Sequence, residues 1–202
     1  MKVYKLTDRK YQTYGGCQWG VNITHTTDGT GDLCSPGWIH AYTDPLLAVL
    51  LNPIHANIVD PVLWEAEGDV GKTDHGLKVG CTILTTIRKI PLPAMSMEHR
   101  VRFGILCAMC VYKNVGFTAW ATKWLDGSDR SRSAAEEAAR AAEARASAAR
   151  APAAWLAVRA SAAAARAAEE AARAAEEAAR AAAWSAASDV DLIAIAHEAS
   201  MV

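Results

Sequence analysis

From Ser133 to Ser188 more than half of the residues are alanine, and this stretch constrains the fold more than any other feature. Alanine has the highest helix propensity and loses no side-chain entropy in a helix. Ser133-Ala134-Ala135-Glu136 matches a capping box, with Ser as N-cap and Glu three residues on. Pro152 interrupts the run and fits the first turn of a second helix. Ser188-Asp189-Val190-Asp191 reads as a third start, with Leu192, Ile193 and Ile195 supplying an apolar patch. The expected helices therefore span about 133–150, 152–187 and 189–200.

Ala164-Ala165-Arg166-Ala167-Ala168-Glu169-Glu170 recurs unchanged as Ala171-Ala172-Arg173-Ala174-Ala175-Glu176-Glu177. On a helix its charges fall in one arc of about 100°. Glu169–Arg173 and Glu176–Arg180 pair at i,i+4, each contributing roughly 0.2–0.5 kcal/mol. The other face is alanine, which lets helices approach closely, and a period of seven suits left-handed pairing. Three arrangements fit: a helical hairpin docked on the rest of the chain, a bundle between chains that makes a homo-oligomer, and a single loosely attached helix. A membrane-surface helix does not fit, because the polar arc is mixed in sign and the apolar face lacks bulky anchors.

Composition changes near Asp126-Gly127-Ser128-Asp129, so the expected division is an α+β domain over 1–126 and an Ala-rich helical region over 127–202. The fold class expected is α+β, a small mixed or antiparallel sheet with flanking helices, followed by a helical hairpin or extension. Val3–Leu6, Tyr11–Tyr14, Cys17–His25, Trp38–Tyr42, Val62–Glu67 and Leu77–Ile90 read as strands. Asp44-Pro45 opens a short helix over Leu46–Leu51, with Asn52-Pro53 as its stop. Ser96 opens another, apolar on several sides and therefore buried, broken at Gly116.

The chain is 202 residues long with net charge −1, which argues against generic nucleic-acid binding. No apolar run approaches the ~20 residues of a membrane span, and the charged start has no signal-peptide core. Five cysteines without a secretion signal read as reduced thiols in a cytoplasmic protein. Cys107-Ala108-Met109-Cys110 is a lone CxxC on an apolar helix and reads as core thiols. The spacing of Cys34, His40, His55 and His75 matches no compact metal pattern. No phosphate loop and no GxSxG occur, so no catalytic residue is assigned.

The best candidate for function is Cys34–Leu47. It delivers His40 and Tyr42 from a strand after the Gly37 turn. It then presents the N-terminus of the helix behind Asp44, whose free N–H groups suit an anion such as phosphate. Glu65 and Glu67 share a strand face and could act as paired carboxylates, with Lys78 and Arg88 as partners. The expected ligand-binding residues are Gly37, His40, Tyr42, Asp44, Glu65, Glu67 and Lys78.

The order Gln18-Trp19-Gly20, Leu33-Cys34, Gly37, His40-Ala41, Asp44-Pro45-Leu46, Leu63-Trp64-Glu65-Ala66-Glu67-Gly68, Lys78-Val79-Gly80 and Ile87-Arg88 resembles a family of small phage and prophage proteins of uncharacterised function, over about residues 1–92. The resemblance implies a phage origin without an activity. A weaker one is to the ADP-ribosyltransferase fold, on Gly37, His40, Tyr42 and Leu63–Gly68; it implies an NAD-using enzyme, although the earlier His-Gly element and a late Glu are not found.

The leading expectation is a non-enzymatic phage accessory protein in the host cytoplasm. It binds a host protein or a small nucleotide-like ligand, in counter-defence, and needs no cofactor. The rival readings are the NAD-using enzyme and a structural virion component.

Overall fold

The computed structural model describes residues 1–149, 158, 160–162, 164 and 190–201. The described residues form an antiparallel sheet and helices, an α+β fold. By contacts the chain divides into two units, Met1–Ala94 and Met95–Val202. The boundary precedes the compositional shift near Asp126 because the helices before that shift pack with those after it: Phe117, Trp120 and Trp124 share a core with Ala135 and Ala142.

Alternation sets the strands of the first unit. β1 (Lys2–Thr7) pairs with β6 (Val62–Thr73), and β6 pairs with β7 (Val79–Ile90). The other edge of β7 is shared by β5 (Ile39–Ala41), opposite Val79–Cys81, and β4 (Ile23–Thr26), opposite Ile83–Thr86. Just after β5, Tyr42 exchanges backbone bonds with Tyr4 of β1, at 2.7 and 2.9 Å. The sheet thus curls until β1, β6, β7 and β5 make a ring.

Inside the ring lie Val3, Ile39, Ala41, Ala66, Val79, Cys81 and Leu84, with Trp19 packed among them. Trp19 arrives from a miniature hairpin, β2 (Gln12–Thr13) and β3 (Cys17–Gln18). Its tip needs Gly15 and Gly16, both at positive φ.

β6 runs past the expected end at Glu67 to Thr73, through bulges at Glu65/Ala66 and around Val70. The bulges add twist and let one long hairpin bend around the core. Gly68 and Gly80 sit where a Cβ would meet Cys81 Sγ at 2.7 Å and Leu33 Cδ1 at 2.5 Å.

Helix α1 (Pro45–His55) differs from the expected Leu46–Leu51. Pro53 lies inside it, because a stripe of buried Leu46, Leu47, Leu50 and Leu51 outweighs one missing backbone bond. Asn52 ties down the chain beyond: its side chain bonds both the N–H and the C=O of Ile58, at 3.1 and 2.9 Å.

In the second unit, α2 (Met97–Val111) starts at a reciprocal box. Ser96 Oγ accepts from the His99 N–H, and His99 Nδ1 accepts from the Ser96 N–H. The break expected at Gly116 falls at Tyr112–Asn114. Asn114 caps α3 (Val115–Leu125), which contains Gly116.

α4 (Arg132–Ala149) is capped by Ser131, not Ser133: Ser131 Oγ accepts from the Ala134 N–H and its carbonyl from the Ala135 N–H. Glu136 instead pairs with Arg132 at 2.8 Å. Asp191 caps α5 (Leu192–Ser200), which packs on α2.

Of the helix expected at about 152–187 the described residues are helical; the Glu169–Arg173 and Glu176–Arg180 pairs lie outside the described residues. Among those residues no helix is long and apolar enough to cross a membrane.

Candidate functional site

β5 has strict alternation: Ile39 and Ala41 face the ring's core, and His40 and Tyr42 face away from it. Tyr42 is buried, stacked on His55 of α1 at 6.0 Å, with its hydroxyl 3.3 Å from His55 Nδ1. Asp44 is buried too, and its carboxylate accepts the Leu46 N–H at 2.7 Å. These two residues seat α1. The helix start expected to receive an anion already holds a carboxylate of its own chain.

Glu65 and Glu67 form a second group. Register places Tyr42, Tyr4, Glu65 and Arg88 in one row across the sheet. Glu65 pairs with Lys2 at 3.1 Å and Arg88 at 2.7 Å, and Glu67 lies opposite Lys2 and Thr85. The hydrogen bond from Lys2, with the Arg88 charge, holds the Glu65 carboxyl below its ordinary range. Arg88 is thus the partner expected of it, whereas Lys78 is engaged elsewhere. This is a solvent-facing ion-pair cluster, screened and weak.

His40 and Lys78 come together through Leu33-Cys34, while Gly37 belongs to the depression beside them. The loop Thr27–Gly37 folds back so that the Gly29 N–H bonds the Gly37 carbonyl. A Cβ on Gly37 would lie 2.1 Å from the Thr30 carbonyl oxygen, so only glycine fits. His40 Nε2 hydrogen-bonds the Leu33 carbonyl. Lys78, at the entry to β7, is 7% exposed and donates to Cys34 Sγ at 3.1 Å. Beside them Thr27, Asp28, Thr30, Gly31, Ser35, Pro36 and Gly37 line an open depression of about 570 Å³.

Behind β5 lies Lys5, a residue that motif reasoning passed over. It is 8% exposed, donates to the His40 carbonyl at 2.7 Å, and stands 5.2 Å from the centre of the Trp19 ring. Burial without a carboxylate pushes its ammonium down to about 8. A period-2 reading places Lys5 on the same strand face as Val3, which was the available signal.

His40 is flanked by both ammonium groups. Burial lowers its pKa first; the Leu33 bond opposes that, and the charges of Lys78 and Lys5 add to it. The imidazole is therefore a neutral ring at neutral pH, able to donate or accept. Among the described residues no carboxylate pairs with either ammonium, so these two buried cations around one imidazole form a positively biased site.

Cys107 is fully buried and Cys110 half-buried, and burial raises both thiols. Among the described residues no group of His, Cys, Asp and Glu could hold a metal ion.

The architecture is that of an α+β protein with a curled antiparallel sheet. The chain matches no family model, no curated protein and no solved structure.

Proposed function

We propose that this chain is a phage-encoded accessory protein that acts by binding, in the host cytoplasm, and that its ligand is a phosphate-bearing, nucleotide-like molecule held around Gly37, His40 and Lys78. The observation that carries this reading is the pair of buried ammonium groups, Lys5 and Lys78, flanking His40 with a carbonyl, an aromatic ring and a thiol as partners. Buried charge is normally paired. A ligand phosphate would supply the missing charge, and the neutral His40 a hydrogen bond. Lys5 acts through the strand, by its field and its grip on the His40 carbonyl.

The phage setting rests on the resemblance carried by residues 1–92, and counter-defence on a small, non-basic chain without catalytic motifs. A binding role rather than NAD turnover is favoured because Tyr42, needed for the enzyme reading, is buried under His55.

The test is a thermal-shift screen of the full chain against NAD, ADP-ribose, cyclic oligonucleotides and nucleoside mono- to triphosphates. A ligand at 100 times Kd adds about 2.7 kcal/mol, a shift of a few degrees. The expected result is a shift lost in Lys78→Met and kept in Glu67→Ala, with the ligand recovered intact. Turnover of NAD would instead establish the enzyme. No shift with any member would sink the small-ligand reading in favour of a host protein partner, and fixed stoichiometry in purified particles would establish a virion component.

A further inference from the structure

Cys34 is the cysteine that faces solvent, and Lys78 Nζ, 93% of whose residue surface is lost to burial, points its hydrogen bond at that sulfur from 3.1 Å. Both ends are held. The turn Asp32–Ser35 is closed by the Ser35 N–H on the Asp32 carbonyl at 2.9 Å, and Leu33 within it is tied to His40. The Lys78 carbonyl accepts the Asp74 N–H at 3.0 Å. Nucleophile and sulfur are therefore brought together by two anchored turns far apart in sequence. A cation at the sulfur and open access are the surroundings of reactive thiols. Cys81 and Cys107 have no exposed surface.

We infer that Cys34 and Lys78 form an oxidative cross-linking site, in which a hydroperoxide drives formation of a covalent nitrogen–sulfur bond between them. In the first step the Cys34 thiolate attacks a peroxide oxygen. The O–O bond breaks, the sulfur is oxidised by two electrons to the sulfenic acid, and the peroxide is reduced by two, leaving as hydroxide or alkoxide. In the second step the hydroxide or alkoxide released in the first takes a proton from the Lys78 ammonium, and the neutral amine attacks that sulfur. The S–O bond breaks as the N–S bond forms, and the hydroxyl leaves with one amine hydrogen as water. Two equivalents of a small thiol reverse the link, restoring thiol and amine and forming a disulfide of the reductant. The bond would staple the Thr27–Gly37 loop to the entry of β7. This inference goes beyond the binding reading and does not need it.

The experiment treats the full chain, without added ligand, with hydrogen peroxide, then digests it and weighs the peptides. The expected product joins the Cys34 and Lys78 peptides at a mass lower by two hydrogens than their sum, and dithiothreitol releases it. It is absent from Cys34→Ser and from Lys78→Arg, which keeps the cation but lacks a competent amine. In Lys78→Arg dimedone labelling of Cys34 should rise several-fold. Cys34 carried to sulfinic acid beside an unmodified Lys78 peptide, or left unoxidised, would overturn the inference. The wild-type digest decides this even if Lys78→Arg does not fold. Because no nucleotide is present, a failed cross-link and a failed binding screen are separate results.

Discussion

In Met1–Ala94 the largest fully buried side chains include Trp64, Leu47, Leu51, Leu63, Leu77 and Leu84, brought together from segments distant in sequence. In Met95–Val202 three aromatic residues, Phe117, Trp120 and Trp124, lie against Ala108, Ala121, Ala135, Ala142 and Ala160. The first unit excludes water chiefly with large side chains from α1, β1, β6 and β7. The second does so with a few large ones and many small ones that let helix backbones come close. The two should therefore fail under opposite changes: the first when a large residue is removed, the second when a small one is enlarged.

The largest effect is expected from Trp64→Ala. Trp64 is 1% exposed and its Nε1 donates to Thr7 Oγ1 at 3.0 Å, so truncation should cost about 3–5 kcal/mol, read as a lower urea midpoint. A loss under about 1 kcal/mol would mean that the ring's core collapses to fill the space.

Next comes a change of opposite sign. Lys5 titrates near 8 in the fold against 10.5 in the open chain, so the unfolded state binds more protons between those values. Stability should rise as pH climbs through that window, while the full cost, of order 3 kcal/mol, applies below it. Lys5→Met should stabilise the protein at pH 7 and flatten the rise. A variant that is less stable at pH 7, with the rise intact, would show that the amine is fully compensated by Trp19 and the His40 carbonyl.

The smallest of the three belongs to the second unit. Ala135 is fully buried on α4, and Ala135→Leu should cost about 1–3 kcal/mol by overpacking. A neutral or stabilising result in urea unfolding would break the comparison, because it would reveal slack beside Trp120 and Trp124.

Local chemistry was legible in the amino-acid order wherever a residue acts on its immediate neighbours. Ser96 caps α2, Asp44-Pro45 starts α1, Gly15-Gly16 turns the first hairpin, and β5 lies within Trp38–Tyr42. What escaped depends on partners far along the chain. Pro53 stays helical because buried leucines hold α1, and β6 outlasts Glu67 because β7 continues opposite it.

The candidate site divided for the same reason. His40 and Lys78 met because β5 pairs with the start of β7, whereas Gly37 turned to Gly29 and Thr30, Tyr42 and Asp44 were claimed by α1, and Glu65 by Lys2 and Arg88. Lys5 belongs to no motif; alternation puts it on the face of Val3, and the closure between Tyr4 and Tyr42 puts that face inside.

The long β6–β7 hairpin also sets a timetable. β1, β4 and β5 each find their strand partner in β6 or β7, so during synthesis the first sixty or so residues have almost no ladder to join. The hairpin closes locally, on the order of microseconds, once Ile90 clears the ribosome, and the earlier segments then dock on it. Until that moment the apolar strands Val3–Leu6 and Ile39–Tyr42 wait exposed, and a translational pause placed after Ile90 has left the ribosome would let them dock before the second unit is made.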